Sequence, residues 1–167
     1  HFSDLLCIWG YVGEANLFRA TDAFGDRLHP EVHFCSVFPD PATKLTKAWA
    51  NRGGFQGYAD HVQEVAARFD GIAVHPDTWA RVQPRSSASP QLLIKAIQLQ
   101  EAASPATRFA DRPSVRAAHA LRVAFFTQAQ DISNWTVQRA VCDSIGVDFE
   151  AALNHVENGQ AIARLAP

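Results

Sequence analysis

Apolar and polar residues alternate with a period of two along one stretch only, Glu31-Val32-His33-Phe34-Cys35-Ser36-Val37-Phe38, which predicts a β-strand rich in aromatic and β-branched residues. Pro39 and Pro41 end it. His1 to Ser3 reads as the tail of an earlier strand. Between the two, Val12, Ala15 or Asn16, Ala20 and Phe24 recur at helical spacing and predict a helix from Trp9 to Phe24, stopped by Gly25. The first forty residues therefore spell β–α–β, with a crossover long enough for parallel strands.

Beyond Pro41 the pattern changes to helix and loop. Helices are predicted at Thr43 to Asn51 and Gly57 to Phe69, stopped by the glycines that follow. Residues 72–90, broken by Pro76 and Pro84, read as loop with a short turn at Asp77 to Arg81. Ser89-Pro90 reads as an N-cap with Pro at the first helical position, opening a helix to about Ala103. Pro113 opens another to about Ala129. Ser133 or Asn134 caps a helix ending at Gly146, and Asp148 caps one to about Glu157. Helix thus dominates residues 43–157.

Composition narrows the classes. At about 100–200 residues per domain, 167 residues favour one domain or one domain with a large insertion. With 47% apolar and 19% charged residues, the chain can build a core. A net charge of −2 without a basic run argues against nucleic-acid binding. No apolar stretch approaches the roughly 18 residues of a membrane span. Three widely spaced cysteines are not a disulfide framework. With His1 in first place and no Met anywhere, the chain is expected to begin inside a longer reading frame.

Cys7 lies where a strand runs into a helix. Free N–H groups and the positive end of the dipole at a helix N-terminus favour an anion, and the thiolate is the nucleophilic form of cysteine. The alternative reading is a small buried apolar residue. The flanking residues bear on the choice. Asp4-Leu5-Leu6-Cys7-Ile8-Trp9-Gly10-Tyr11-Val12-Gly13 resembles the active-site motif Asp-x-x-Cys-Pro-Trp-Cys-Tyr-x-Gly of the DsbA-like thioredoxin superfamily. Within it, the similarity points to the FrnE-like and 2-hydroxychromene-2-carboxylate isomerase-like branch. Phe34 to Pro39 is similar to the family's second strand. Ser86 to Ala96 resembles the start of its helical insertion, and Ala120 to Phe126, Asp131 to Ser133 and Ala140 to Gly146 resemble its late helices.

The resemblance implies an α/β thioredoxin-like fold with a large all-helical insertion. Residues 1–41 would be the β–α–β part, 42–158 the insertion, and 159–167 the start of the return. It also implies a second half, two antiparallel strands and a helix entered through a cis-proline. Nothing after Gly159 supplies that half, so it is expected beyond Pro167. The implied catalytic residues are Cys7 as nucleophile, Trp9 shaping the mouth, and Gly10, whose N–H together with that of Trp9 would hold charge.

Gly10 stands where the family has its resolving cysteine. The motif becomes monothiol Cys7-Ile8-Trp9-Gly10, and a mixed disulfide cannot be resolved within it. Ile8 in place of the common Pro adds an N–H beside the sulfur. The implied function is thiol–disulfide exchange with a small-molecule thiol or protein disulfide. No bound cofactor is expected, and glutathione would serve as co-substrate. A glutathione-dependent isomerase or transferase, of the 2-hydroxychromene-2-carboxylate isomerase or kappa-class type, is the second reading. A redox-inactive binding protein is the third. A cytoplasmic location is expected, with no membrane or nucleic-acid partner and with a homodimer left open.

The other candidates are weaker. Cys35 would reach Cys7 only with Cα atoms within about 7 Å, and its place in mid-strand argues against that. Cys142, beside Val141 and Ile145, reads as core. Seven histidines show no metal-protease or zinc-finger spacing, so no metal site is expected. His119, in a mostly apolar helix, reads as a satisfied core group.

Overall fold

The computed structural model describes residues 1–102 and 108–165. Strands β1 (Phe2–Ser3) and β2 (His33–Phe34) pair in parallel, with Phe2 opposite His33 and Ser3 opposite Phe34. Helix α1 (Ile8–Phe24) makes the crossover between them. Then follow α2 (Pro41–Ala48), α3 (Gly54–Ala66), α4 (Ala88–Glu101), α5 (Pro113–Arg122), α6 (Trp135–Ile145), α7 (Phe149–Glu157) and α8 (Gln160–Leu165). The β–α–β opening and the helical remainder agree with the hydrophobic pattern, which carries no signal for α8. Ala103, the expected end of α4, and Pro167 lie outside the described residues.

The second strand is much shorter than the alternation over 31–38 predicts. Its partner offers only two residues, and the N–H groups of Val37 and Phe38 go to the Asp4 side chain, at 2.9 and 3.0 Å, instead of a ladder. The strand therefore ends where a side chain takes its donors.

Caps explain most helix boundaries. Asp40, Asn134 and Asp148 each accept a backbone N–H from the first turn of the helix that follows, from Thr43, Thr136 and Ala151 respectively. Gly146 closes α6 in the left-handed conformation at φ 71°. Ser89 is not a cap. It lies inside α4, and its hydroxyl accepts from Gln138 Nε2 at 2.7 Å, while Ser86 Oγ receives the Ala88 N–H at 3.0 Å. Only the first half of α1 is buried, through Ile8, Gly10, Tyr11, Val12 and Glu14. Phe24, expected on the inner face, is 54% exposed.

The helix from Pro113 does not continue unchanged to Ala129. After Arg122 it widens into a π turn over Val123–Thr127, closed by the Gln128 N–H on the Val123 carbonyl. The physical cause lies in the loop over residues 72–87. The Thr78 hydroxyl reaches the carbonyls of Phe125 and Phe126 at 3.0 and 3.2 Å, and the His75 N–H also takes the latter. A donor inserted into a helix ladder opens it in this way. The turn aims two rings in different directions: Phe126 stacks on Tyr11 of α1, centroids 5.1 Å apart, and Phe125 meets Trp79 edge-on at 5.2 Å. One apolar core results, running from α1 through α3, α4 and α5 to α7.

Candidate active site

Asp4 organises the turn that carries Cys7. Its side chain is fully buried. Oδ1 accepts the Leu6 N–H at 2.8 Å, and Oδ2 accepts the Val37 and Phe38 N–H groups and the Ser87 hydroxyl. The Asp4 carbonyl accepts the Cys7 N–H at 3.2 Å. One residue thus fixes the end of β1, the end of β2 and the start of α4 around the cysteine. The sequence motif includes this aspartate, but its role becomes visible only through partners 33, 34 and 83 positions away.

Cys7 is the N-cap of α1, extended at φ −89° and ψ 123°, and its side chain makes no capping hydrogen bond. Its carbonyl accepts the Tyr11 N–H, the first bond of the helix. The N–H groups of Ile8, Trp9 and Gly10 therefore have no partner within the helix, and the positive end of the dipole falls at the cysteine. Cys7 is a free thiol, half-buried against the core. Trp9 is 52% exposed and braced edge-on by Phe69, centroids 6.1 Å apart.

Gly10 has a steric role that the sequence pattern does not reveal. A Cβ there would lie 2.9 Å from the Asp4 carbonyl oxygen and 3.2 Å from the Ser3 Cβ. The first turn of α1 sits directly on the end of β1, and only glycine permits that approach.

The remaining cysteines are separate from this site. Cys35 is exposed and follows β2, so the central-strand placement expected for it is not observed. Cys142 is buried, and burial pushes its thiol up to about 11. His119 is not a core group. It is half exposed, and its Nδ1 lies 2.9 Å from Glu14 Oε2. Glu14 is itself buried and ion-paired with Arg122, whose other terminal nitrogen donates to Ser3 Oγ at 2.9 Å.

A buried phenol not evident from sequence lies on α3, within electrostatic reach of Cys7. Tyr58, in the second turn of α3, is held among the rings of Phe38, Trp49 and Trp79, at 5.7, 5.0 and 5.5 Å between centroids. Burial raises its phenol well above the ordinary tyrosine value, with Cys7 and Asp4 adding to the shift. No motif contains it, because α3 reaches α1 only through the fold.

No protein-family model and no curated protein sequence matches this chain. Solved structures do. A protein disulfide isomerase candidate from Nitrosomonas europaea is 11% identical, with a TM-score of 0.69 over 99% of this chain and 72% of that one. The cytosolic disulfide reductase DsbM from Pseudomonas aeruginosa is 18% identical, with a TM-score of 0.71 over 99% of this chain and 73% of that one. The fold is therefore the helix-rich thioredoxin-like fold. Among the described residues no helix is long and apolar enough to cross a membrane.

Proposed function

We infer that the chain carries out thiol–disulfide exchange through Cys7. The observation that carries this reading is a half-buried free thiol at the N-terminal end of α1, beside an exposed tryptophan. Free N–H groups in that position stabilise an anion, and the sulfur remains open on one side. Two structural neighbours named for disulfide chemistry lend support.

In this reading the Cys7 thiolate attacks one sulfur of a small or protein disulfide. A Cys7–S–S–R bond forms, the substrate S–S bond breaks, and the second sulfur leaves as a thiolate that takes a proton from water. Gly10 leaves no second thiol in the motif. An external thiol, glutathione by chemistry and abundance, then attacks the mixed disulfide and releases Cys7. Residues 1–41 carry the nucleophile, and the insertion over 42–158 supplies the wall opposite. A cytoplasmic setting, where reduced thiols abound, suits such a cycle.

The same monothiol site also suits activation of bound glutathione, because a motif lacking its second cysteine has no internal redox step. Retention on immobilised glutathione by Cys7→Ser as well as by the wild type would favour that isomerase or transferase chemistry. The deciding experiment is brief exposure of folded protein to oxidised glutathione near pH 7, followed by peptide mass spectrometry. Addition of one glutathione on Cys7, removed by excess thiol and absent in Cys7→Ser, is expected. First modification at exposed Cys35, or none at all, would overturn the exchange reading.

A further inference from the structure

A groove outside the Cys7 site gathers positive charge that the described residues do not balance. Lys95, Gln98, Leu99 and Ala102 recur at i, i+3, i+4 and i+7, so they share one face of the second half of α4 over about 10 Å. Helix α8 packs along α4 and brings Arg164 to this face, and the start of β2 brings His33. Together these residues line an open cavity of about 300 Å³, the size of a small-ligand pocket. None of Cys7, Trp9 and Gly10 lines it.

Lys95 is half-buried, with its amine 5.8 Å from the centre of the Phe34 ring. Among the described residues neither Lys95 nor Arg164 has a carboxylate within ion-pair distance. The two cations therefore share the cavity without a counter-charge. Burial, and then the like charge of Arg164, pull the Lys95 amine below its ordinary value. Two carboxylates line the adjoining stretch of the groove, and both are engaged. Glu31 meets His33 at 3.1 Å, and Glu101 accepts the N–H and the hydroxyl of Ser114 at 2.9 and 2.7 Å. Gln98 Nε2 donates to the Val32 carbonyl at 3.4 Å, which fixes an amide nitrogen that has a second N–H to give.

We propose that this groove binds a small phosphorylated molecule, its dianionic phosphoryl group held between Lys95 and Arg164 and its organic part lying along Leu99 and Ala102. Two cations and an amide N–H call for a ligand with more than one charge and more than two acceptor oxygens. A phosphate monoester has both, and a single carboxylate has neither. Arginine offers paired donors to such a group, and lysine offers a point charge. No bond is made or broken, so the site stands independently of the exchange chemistry at Cys7.

The test is isothermal titration calorimetry of the full chain near pH 7.5, where a phosphate monoester is a dianion. Ionic strength is held constant, phenyl phosphate is the probe, and benzoate is the matched carboxylate. Saturable binding of one phenyl phosphate is expected, with benzoate weaker by about tenfold or more. Lys95→Met keeps the buried stem and removes the charge, and Arg164→Gln keeps a polar side chain. Each should weaken phenyl phosphate by about tenfold or more, as expected for the loss of one charged hydrogen-bond donor. Lys47→Met removes the same charge from exposed α2, outside the groove, and should change binding by less than about twofold. Absence of saturable binding, equal binding of benzoate, or an equal loss in Lys47→Met would each overturn the proposal. Should Lys95→Met not fold, Arg164→Gln at an exposed position decides alone, and an unchanged affinity there would overturn it.

Discussion

Ser87 Oγ donates to Asp4 Oδ2 at 2.7 Å across 83 positions of sequence, and both residues are fully buried. This contact ties the turn before Cys7 to the start of α4, so the two share one polar anchor. Asp4→Ala would orphan the Leu6 and Phe38 N–H groups and leave the Val37 N–H and the Ser87 hydroxyl with one carbonyl each, those of Cys35 and Phe38. At roughly 1–3 kcal/mol per buried unsatisfied group, partly relieved by water, a loss of about 3–5 kcal/mol is expected in urea unfolding. Ser87→Ala removes one donor of four and should cost about 1 kcal/mol. Equal losses for the two variants would show that Asp4 is not the hub.

Gly10 yields a second expectation. Gly10→Ala brings a methyl group within 2.9 Å of the Asp4 carbonyl oxygen, an atom of the backbone that cannot rotate aside. A penalty of about 1–3 kcal/mol follows from such overpacking, measurable as a lowered urea midpoint. Gly10→Cys meets the same obstruction. Rebuilding a dithiol motif here should therefore lower stability, and an unchanged midpoint in both variants would contradict the close approach of α1 to β1.

Asp4 and Gly10 also mark how far the sequence could be read. Helix positions and most caps were legible because their signals are local: Asn134 and Asp148 act within three residues of themselves. Cys7 was legible because the strand-to-helix junction lies beside it. The length of β2 was not, since it depends on the Asp4 side chain taking the N–H groups of Val37 and Phe38. Ser89 has the local pattern of a cap, but its partner, Gln138, is supplied by α6. Tyr58 gives no local signal: the rings that enclose it, Phe38, Trp49 and Trp79, come from separate segments of the chain.

Cys142 should make stability fall at alkaline pH. Burial raises its thiol to about 11 in the folded chain from an ordinary value of 9.0. Between those values the unfolded chain has released the proton while the folded chain keeps it, so unfolding gains favour as pH rises. Stability from this group is complete below about pH 9 and is lost as pH climbs toward and past 11, by about 3 kcal/mol at most. Cys142→Val fills similar space and cannot ionise. The gap between wild-type and Cys142→Val unfolding free energies should shift by about 1–2 kcal/mol in favour of the variant from pH 8 to pH 10.5. A constant gap would contradict the burial of the thiol.

The buried ion pair of Glu14 and Arg122 joins the middle of α1 to the last turn of α5. Arg122 also reaches Ser3 of β1, and His119 covers the second oxygen of Glu14 from the solvent side. Removing Glu14 strands the buried Arg122, and removing Arg122 leaves the buried Glu14 with His119 as its one remaining charged partner. Arg122→Met should therefore cost about 3–5 kcal/mol, whereas a buried pair replaced together often costs little. Glu14→Gln with Arg122→Met should recover a large part of that loss, because no charge is left unpaired. A double-mutant cycle in urea reads this directly as a coupling of about 2 kcal/mol or more. Strict additivity of the two substitutions would show that Glu14 and Arg122 are solvated independently, and would remove the link from α5 to the helix that carries Cys7.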